Sequence, residues 1–277
     1  VGHDSADVWA NQGLFLLDKK GQCLELAGAP PDAYSDTGQL WGNPIYRWDV
    51  MQARGFRWWK QRIARAMEQV DVVRLDHFRG FAAYWSVPAG SETALTGRWV
   101  PGPGAAFFEE IQRQWPKLPF VAEDLGLIDE PVEVLRDQFS LKGMRVLQFG
   151  FDADPTNIHA VHNVVPDSVV YTGTHDSDTL LGWWLNESDW LKDQVRRYFA
   201  VDGHDLVWDM IRACFGSSGQ LAMVQMQDLL ALDSSGRMNR PGIAAGNWGW
   251  RLKKEAHEFG VTDRTKDLIW MYGRRKR

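Results

Sequence analysis

Cysteine is nearly absent, with only Cys23 and Cys214 in 277 residues. Two cysteines cannot build a disulfide framework or a multi-cysteine zinc site, and such low use fits a reducing, cytoplasmic setting. No run of about 18 apolar residues occurs, so no transmembrane helix is expected. The first residues lack the basic, apolar, small-residue order of a secretory leader. They also lack an initiating Met, and the chain reads as N-terminally truncated. Neither sign of charge dominates, with 31 Lys+Arg against 36 Asp+Glu. The clustered basic stripe of a nucleic-acid groove is missing. Arg274-Arg275-Lys276-Arg277 is the one basic run, and four charges at a chain end read as a solvated tail. There is no low-complexity tract and no clear repeat. A G-x-S-x-G elbow, a G-x-G-x-x-G turn, a P-loop and an H-E-x-x-H pair are all wanting. The chain therefore lacks the local signatures of a serine hydrolase, a dinucleotide or nucleotide binder and a zinc protease.

The apolar fraction of 44% and charged fraction of 24% are those of a globular protein with a sizeable core. The length suits one or two domains, or a single α/β barrel of about 250 residues. The compositional oddity is 15 tryptophans, several times the ordinary usage. Some must be core. A surplus of flat rings with apolar faces also suits a site that stacks sugar rings.

From residue 55 onward, helix-like and strand-like runs alternate. Residues 55–70 place Phe56, Trp59, Ile63, Ala66, Met67 and Val70 on one helical face. The β-branched run 70–76 reads as a buried strand. A helix over 105–115, a strand over 118–122 and a helix opening at Pro131 follow. Further strands are read at 143–151, 168–172 and 221–226. Further helices are read at 189–200 and 205–215, with a closing helix at 249–259. Alternating βα units imply a mostly parallel sheet with helical crossovers. The expected fold class is α/β, a (β/α)8 barrel incomplete at its N-terminal end, since about five units can be counted against eight. Residues 1–54 are rich in Gly, Pro, Asp and Trp and weakly periodic. They read as a loop and helical segment covering the active-site mouth, with 55–277 as the barrel part of a single catalytic domain.

Three acids stand at strand ends. Asp76 closes VVRLD, Glu123 closes PFVAE, and Asp176 follows VVYTGTH. They are 47 and 53 residues apart, which fits one or two βα units each, and C-terminal strand ends of such a barrel share one mouth. A carboxyl ending an apolar strand is partly desolvated, which raises its pKa. Grouped carboxyls then separate into an acid and an ionised nucleophile, the pair that retaining glycosidic chemistry requires. Arg74, two residues before Asp76, points to the same strand face and can hold it ionised. His77 and His175 sit beside two of the acids, as sugar-hydroxyl partners or as ordinary buried imidazoles. The acids can equally be helix caps or ion-pair partners. Asp76-His77 and His175-Asp176 are also of metal-ligand type, but no recognised ligand spacing accompanies them.

The motifs VRLDHFRGF (73–81), VAEDLG (121–126) and YTGTHDSDTLLGWW (171–184) resemble the strand-end motifs of 4-α-glucanotransferases. These are the amylomaltases or disproportionating enzymes of glycoside hydrolase family 77, in the α-amylase superfamily. HDSADVWAN (3–11), PPDAYSDTGQLWGNPIYRWD (30–49), LQFGFD (147–152), MQDLLALDSSGRMNRPG (226–242) and GNWGWR (246–251) match in the same order.

The resemblance implies a nucleophile at Asp76, a general acid/base at Glu123, and at Asp176 a third carboxylate that binds ring hydroxyls. It implies Arg74 as the nucleophile's partner and His175 as a sugar contact; His77, beside the nucleophile, is read from its position as a further substrate contact. Tyr34, Gln39 and Trp41 would lie on a loop covering bound glucan, Asn247 and Trp248 on a second lining loop, and Asp4 near the mouth. The implied activity is transfer of α-1,4-glucan segments to the 4-hydroxyl of an acceptor through a covalent glucosyl-enzyme. The alternatives are an α-amylase-like hydrolase and an inactive glucan-binding piece. No metal or redox cofactor is implied. The expected partners are maltooligosaccharides or starch and glycogen fragments, with no nucleic acid, membrane or obligate protein partner.

Overall fold

The computed structural model describes residues 1–32, 35–243, 245–253 and 260–274. The chain divides into two units, Val1–Gly143 and Met144–Arg277.

The first unit runs α1 (Ala6–Ala10), β1 (Glu25–Ala29), β2 (Gln39–Pro44), α2 (Trp48–Ala53), α3 (Arg57–Met67), β3 (Val73–Leu75), α4 (Arg79–Ala82), β4 (Ala83–Pro88), β5 (Arg98–Pro101), α5 (Gly104–Gln112), β6 (Phe120–Ala122) and α6 (Glu130–Gln138). Strands β3 and β6 pair in parallel, Val73 with Phe120, Arg74 with Val121 and Leu75 with Ala122. Lys142 bridges to Val121 on the far side of β6. Helix α3 buries Ile63, while Trp48 and Trp59 stack with ring centroids 6.0 Å apart beside Phe81 and Phe107. Phe78, Phe107, Phe108 and Ile111 are fully buried, so much of the aromatic surplus is core. Pro131 lies in the first turn of α6, where its missing N–H costs nothing.

The run 1–54 departs from the loop-and-helix expectation. Helices α1 and α2 are there, but so are β1 and β2. They join an antiparallel sheet in the order β2-β1-β4-β5. Gly28 is the residue that permits the closest approach in this sheet, since a Cβ there would lie 2.3 Å from the Gln39 carbonyl oxygen. These strands are short and half-buried, so neither a clean period of two nor a continuous apolar run marks them.

The second unit runs β7 (Gly143–Val146), β8 (Ser168–Tyr171), α7 (Leu180–Asn186), α8 (Asp189–Phe199), α9 (Leu206–Gly216), β9 (Leu221–Met223), α10 (Met226–Leu229) and α11 (Val261–Met271). Its sheet has the order β7-β8-β9, with β8 and β9 parallel. Helix α9 buries seven of its residues, Trp208, Ile211 and Cys214 among them, as a helix in the middle of a core must. Strand β7 stops at Val146, not at 151, because Leu147–Phe149 tighten into a 3-10 turn. The 221–226 run likewise ends as a strand at Met223 and becomes α10 at Met226. The closing helix also differs from expectation. Residues 249–253 are not helical, 254–259 lie outside the described residues, and the helix is α11, started by Gly260 at φ 62°. Arg275–Arg277 lie outside the described residues too. Among the described residues, no helix is long and apolar enough to cross a membrane.

Candidate active site

Because Leu75 and Ala122 are register partners, the parallel strands β3 and β6 deliver Asp76 and Glu123 at the same end. The Glu123 N–H donates to the Leu75 carbonyl at 3.0 Å, and the Phe78 N–H donates to the Glu123 carbonyl at 3.1 Å. His77 takes a left-handed conformation, φ 49°. Its N–H donates to Glu123 Oε2 at 2.6 Å, and the Leu125 N–H donates to Oε1 at 3.0 Å. Both carboxyl oxygens are thus fixed by main chain. Burial pushes the Glu123 carboxyl up to about 7 and outweighs the two N–H donors and the Arg74 charge, while the Asp76 charge adds to the rise. Asp76 sits differently. Its side chain is 77% exposed, and Arg74 Nη1 lies 2.8 Å from its Oδ1. Two neighbouring carboxyls therefore have different environments, one half-buried with its proton affinity raised, one solvated and paired with a guanidinium.

A cavity of about 540 Å³ opens beside Asp76, lined by Arg74, Asp76, His77 and Trp41 and by an apolar wall that includes Tyr46 and Trp59. The His77 ring meets Trp41 edge-on, centroids 4.7 Å apart. Burial pulls the His77 imidazole down to about 4, so it is neutral at neutral pH. Its Nε2 is buried without a hydrogen-bond partner among the described residues. Gln39 Oε1 accepts from Trp41 Nε1 at 3.0 Å, which orients the indole. Tyr34 lies outside the described residues. Asp4 is exposed just ahead of α1 and is not among the residues that line the cavity.

Asp176 lies in the second unit, on the segment between β8 and α7. Asn239 Nδ2 donates to its Oδ1 at 2.6 Å, and Arg237 Nη2 donates to its carbonyl at 2.7 Å. His175 Nε2 stands 3.3 Å from Oδ2, and the His175 ring packs on Trp248 at 5.3 Å. Asn247 holds the approach to Trp248: its Oδ1 accepts from the Arg240 N–H at 3.0 Å, and its Nδ2 donates to the Ile243 carbonyl at 2.8 Å. Trp248 takes φ 61° and is 54% exposed. Among the described residues, no three His, Cys, Asp or Glu side chains form a metal-ligand group.

Several residues at these sites escape a reading of the sequence. Asp124, next to Glu123, is buried and ion-paired to Arg136 at 2.7 Å. Arg79 donates to the Leu127 carbonyl and to Asp129 and lies over the Trp99 ring at 3.9 Å, which ties α4 to the loop after Glu123. Arg237, Asn239 and the buried Asp228 fall inside the 226–242 motif, but no spacing there singles them out.

The family model described as 4-alpha-glucanotransferase, Glyco_hydro_77, matches residues 1–257. The chloroplastic/amyloplastic 4-alpha-glucanotransferase DPE1 of Arabidopsis thaliana is 45% identical over 99% of this chain and 48% of its own length. The 4-alpha-glucanotransferase of Synechocystis is 46% identical over 99% of this chain and 55% of its own. The amylomaltase of Streptococcus agalactiae, solved in complex with acarbose, superposes with a TM-score of 0.95 at 37% identity, over 99% of this chain and 56% of that one. The chain thus spans about half the length of the curated relatives it matches, and its α/β, barrel-type architecture is that of amylomaltase.

Proposed function

Because the chain belongs to the 4-alpha-glucanotransferase family of glycoside hydrolases, we propose that it carries the acid/base and nucleophile of a retaining α-1,4-glucan transferase. The observation that carries the reading is the contrast between Glu123, half-buried, desolvated and held up to about 7, and Asp76, exposed and paired with Arg74. Asp76 attacks the anomeric carbon while protonated Glu123 gives its proton to the departing glycosidic oxygen. The bond from that carbon to oxygen breaks, and an ester to Asp76 forms. Glu123, now a carboxylate, takes the proton of an incoming 4-hydroxyl, whose oxygen displaces Asp76 and restores the α-linkage. A carboxyl whose pKa lies near neutrality can serve in both directions.

Asp176 is read as the third carboxylate, binding ring hydroxyls. Arg74, ion-paired with Asp76 at 2.8 Å, is read as the residue that orients the nucleophile. Neutral His77, with a free ring nitrogen, and His175 are read as sugar-hydroxyl contacts. Trp41, oriented by Gln39, and Trp248, on the loop that Asn247 holds, are read as stacking faces. Asp4 and Tyr34 are read as further contacts of the glucan. The acarbose complex of the Streptococcus agalactiae amylomaltase supports an α-linked oligosaccharide as the ligand class.

The test is incubation with maltotriose and separation of the products. It is run on the 277-residue chain and on a chimera that supplies the part of the Synechocystis relative this chain does not span. Transfer yields glucose together with oligomers longer than the substrate. Glucose and maltose without longer products mark a hydrolase. Binding of maltooligosaccharide with no turnover in either protein marks a glucan binder, and both of these results overturn the proposal.

A further inference from the structure

The segment carrying His175 and Asp176 leaves β8 at Tyr171 and enters α7 at Leu180. Its two ends converge on one buried carboxylate. Thr172 Oγ1 donates to Asp228 Oδ2 at 2.7 Å, and the Leu180 N–H donates to Asp228 Oδ1 at 2.8 Å. Thr172 and Asp228 have no exposed surface. Leu180 is the first residue of α7, so its N–H has no partner within the helix and Asp228 supplies one. The same stretch of chain makes further ties inward. Ser234 Oγ donates to Asp178 Oδ2 at 2.7 Å, and Arg237 and Asn239 hold Asp176 itself.

The geometry points to Asp228 as a positioning residue that clamps residues 172–180 at both ends and so sets where Asp176 is presented. Asp228 makes no hydrogen bond to Asp176 among the described residues. It acts through the segment it closes. Two donors on a fully buried carboxylate form strong, charge-assisted bonds, and removing the acceptor leaves two buried donors unsatisfied. Gly173, next to Thr172, shows how closely the start of the segment packs. A Cβ there would stand 2.7 Å from Gln148 Nε2. The functional meaning of the clamp rests on Asp176 being the third carboxylate, but the clamp itself does not.

The experiment is hydrogen exchange by mass spectrometry on the 277-residue chain, comparing peptides of 172–180 with peptides of α9. Asp228→Ala is expected to speed exchange in 172–180 by about tenfold while α9 keeps its protection, the pattern of a local opening. Should Asp228→Ala fail to fold, two milder variants carry the test. Thr172→Val removes one tie, and Asp228→Asn keeps a single acceptor oxygen. Each should speed exchange in 172–180 several-fold with α9 unchanged. Exchange that rises equally in α9, or that stays at the wild-type rate in 172–180, overturns the clamp. Since no glucan enters this measurement, a failed maltotriose assay would remove the transferase reading and leave the exchange result to stand or fall by itself.

Discussion

The main-chain N–H of His77 donates to Oε2 of Glu123 at 2.6 Å. The residue after the proposed nucleophile therefore fixes the proposed acid/base on the neighbouring strand. His77 itself takes φ 49°, a conformation that few residues other than glycine adopt readily, and the chain turns there from β3 toward α4.

Asp76→Asn and Glu123→Gln should each abolish maltotriose transfer, by at least ~10³-fold for the nucleophile and ~10²–10⁴-fold for the acid/base. Asp76 is exposed, so its variant should melt within about 0.5 kcal/mol of the wild type. The check is product formation alongside a thermal melt of the same preparation.

The pH dependence of stability should split between Glu123 and His77. Glu123 is raised to about 7 in the folded chain, so between its unfolded value and 7 the folded state holds the extra proton. Its contribution is complete below about 4.5 and is lost as pH rises through 7. His77 is lowered to about 4, so its contribution is complete above about 6.5 and is lost as pH falls through 4. Each amounts to ~3 kcal/mol, and between about 4.5 and 6.5 they oppose one another. Urea midpoints measured from pH 4.5 to 7.5 should show His77→Gln losing stability as pH rises. Glu123→Gln should gain it over the lower part of that range. Variant profiles parallel to the wild type would contradict the assigned environments.

Gly143→Ala should destabilise the first unit by ~3 kcal/mol. The added Cβ would lie 2.2 Å from Asp124 Oδ2, and Asp124 is buried in its pair with Arg136. It cannot move without breaking a buried ion pair. Denaturant unfolding gives the number, and a loss below about 0.5 kcal/mol would mean that the pair relaxes freely.

Trp41→Ala should weaken maltooligosaccharide binding several-fold. It should cost stability only ~1 kcal/mol, the worth of one aromatic contact, because the indole is 39% exposed and meets His77 by its edge. Titration followed by calorimetry separates this from a folding defect. A fully retained affinity would take Trp41 out of the ligand site.

Local pattern made the parallel strands and most of their helices legible. Val73, Val121 and Val169 stand in short apolar runs, and Ile63 recurs at helical spacing. The antiparallel sheet was not legible. Trp85 pairs with Trp99 across strands whose faces are half covered, and β1 is kinked by a register shift near Gly28. Helix α11 was misplaced because Gly260, its left-handed start, carries no side-chain cap. The residues around the acids followed the same division. Arg74 was readable because two strand positions share a face. Asn239 and Asp228 were not, since they reach the Asp176 segment from more than 45 residues away.

The sequence by itself determined which strands end in acids, and its long motifs pointed to the family. Only the tertiary structure decided that Glu123 is the half-buried carboxyl with the raised pKa and Asp76 the solvated one. Both acids follow similar apolar strands, so a string of residue types gives them the same prospects. The difference comes from strand register, from the His77 and Leu125 N–H groups that hold the Glu123 carboxyl, and from the solvent that each side chain finally meets.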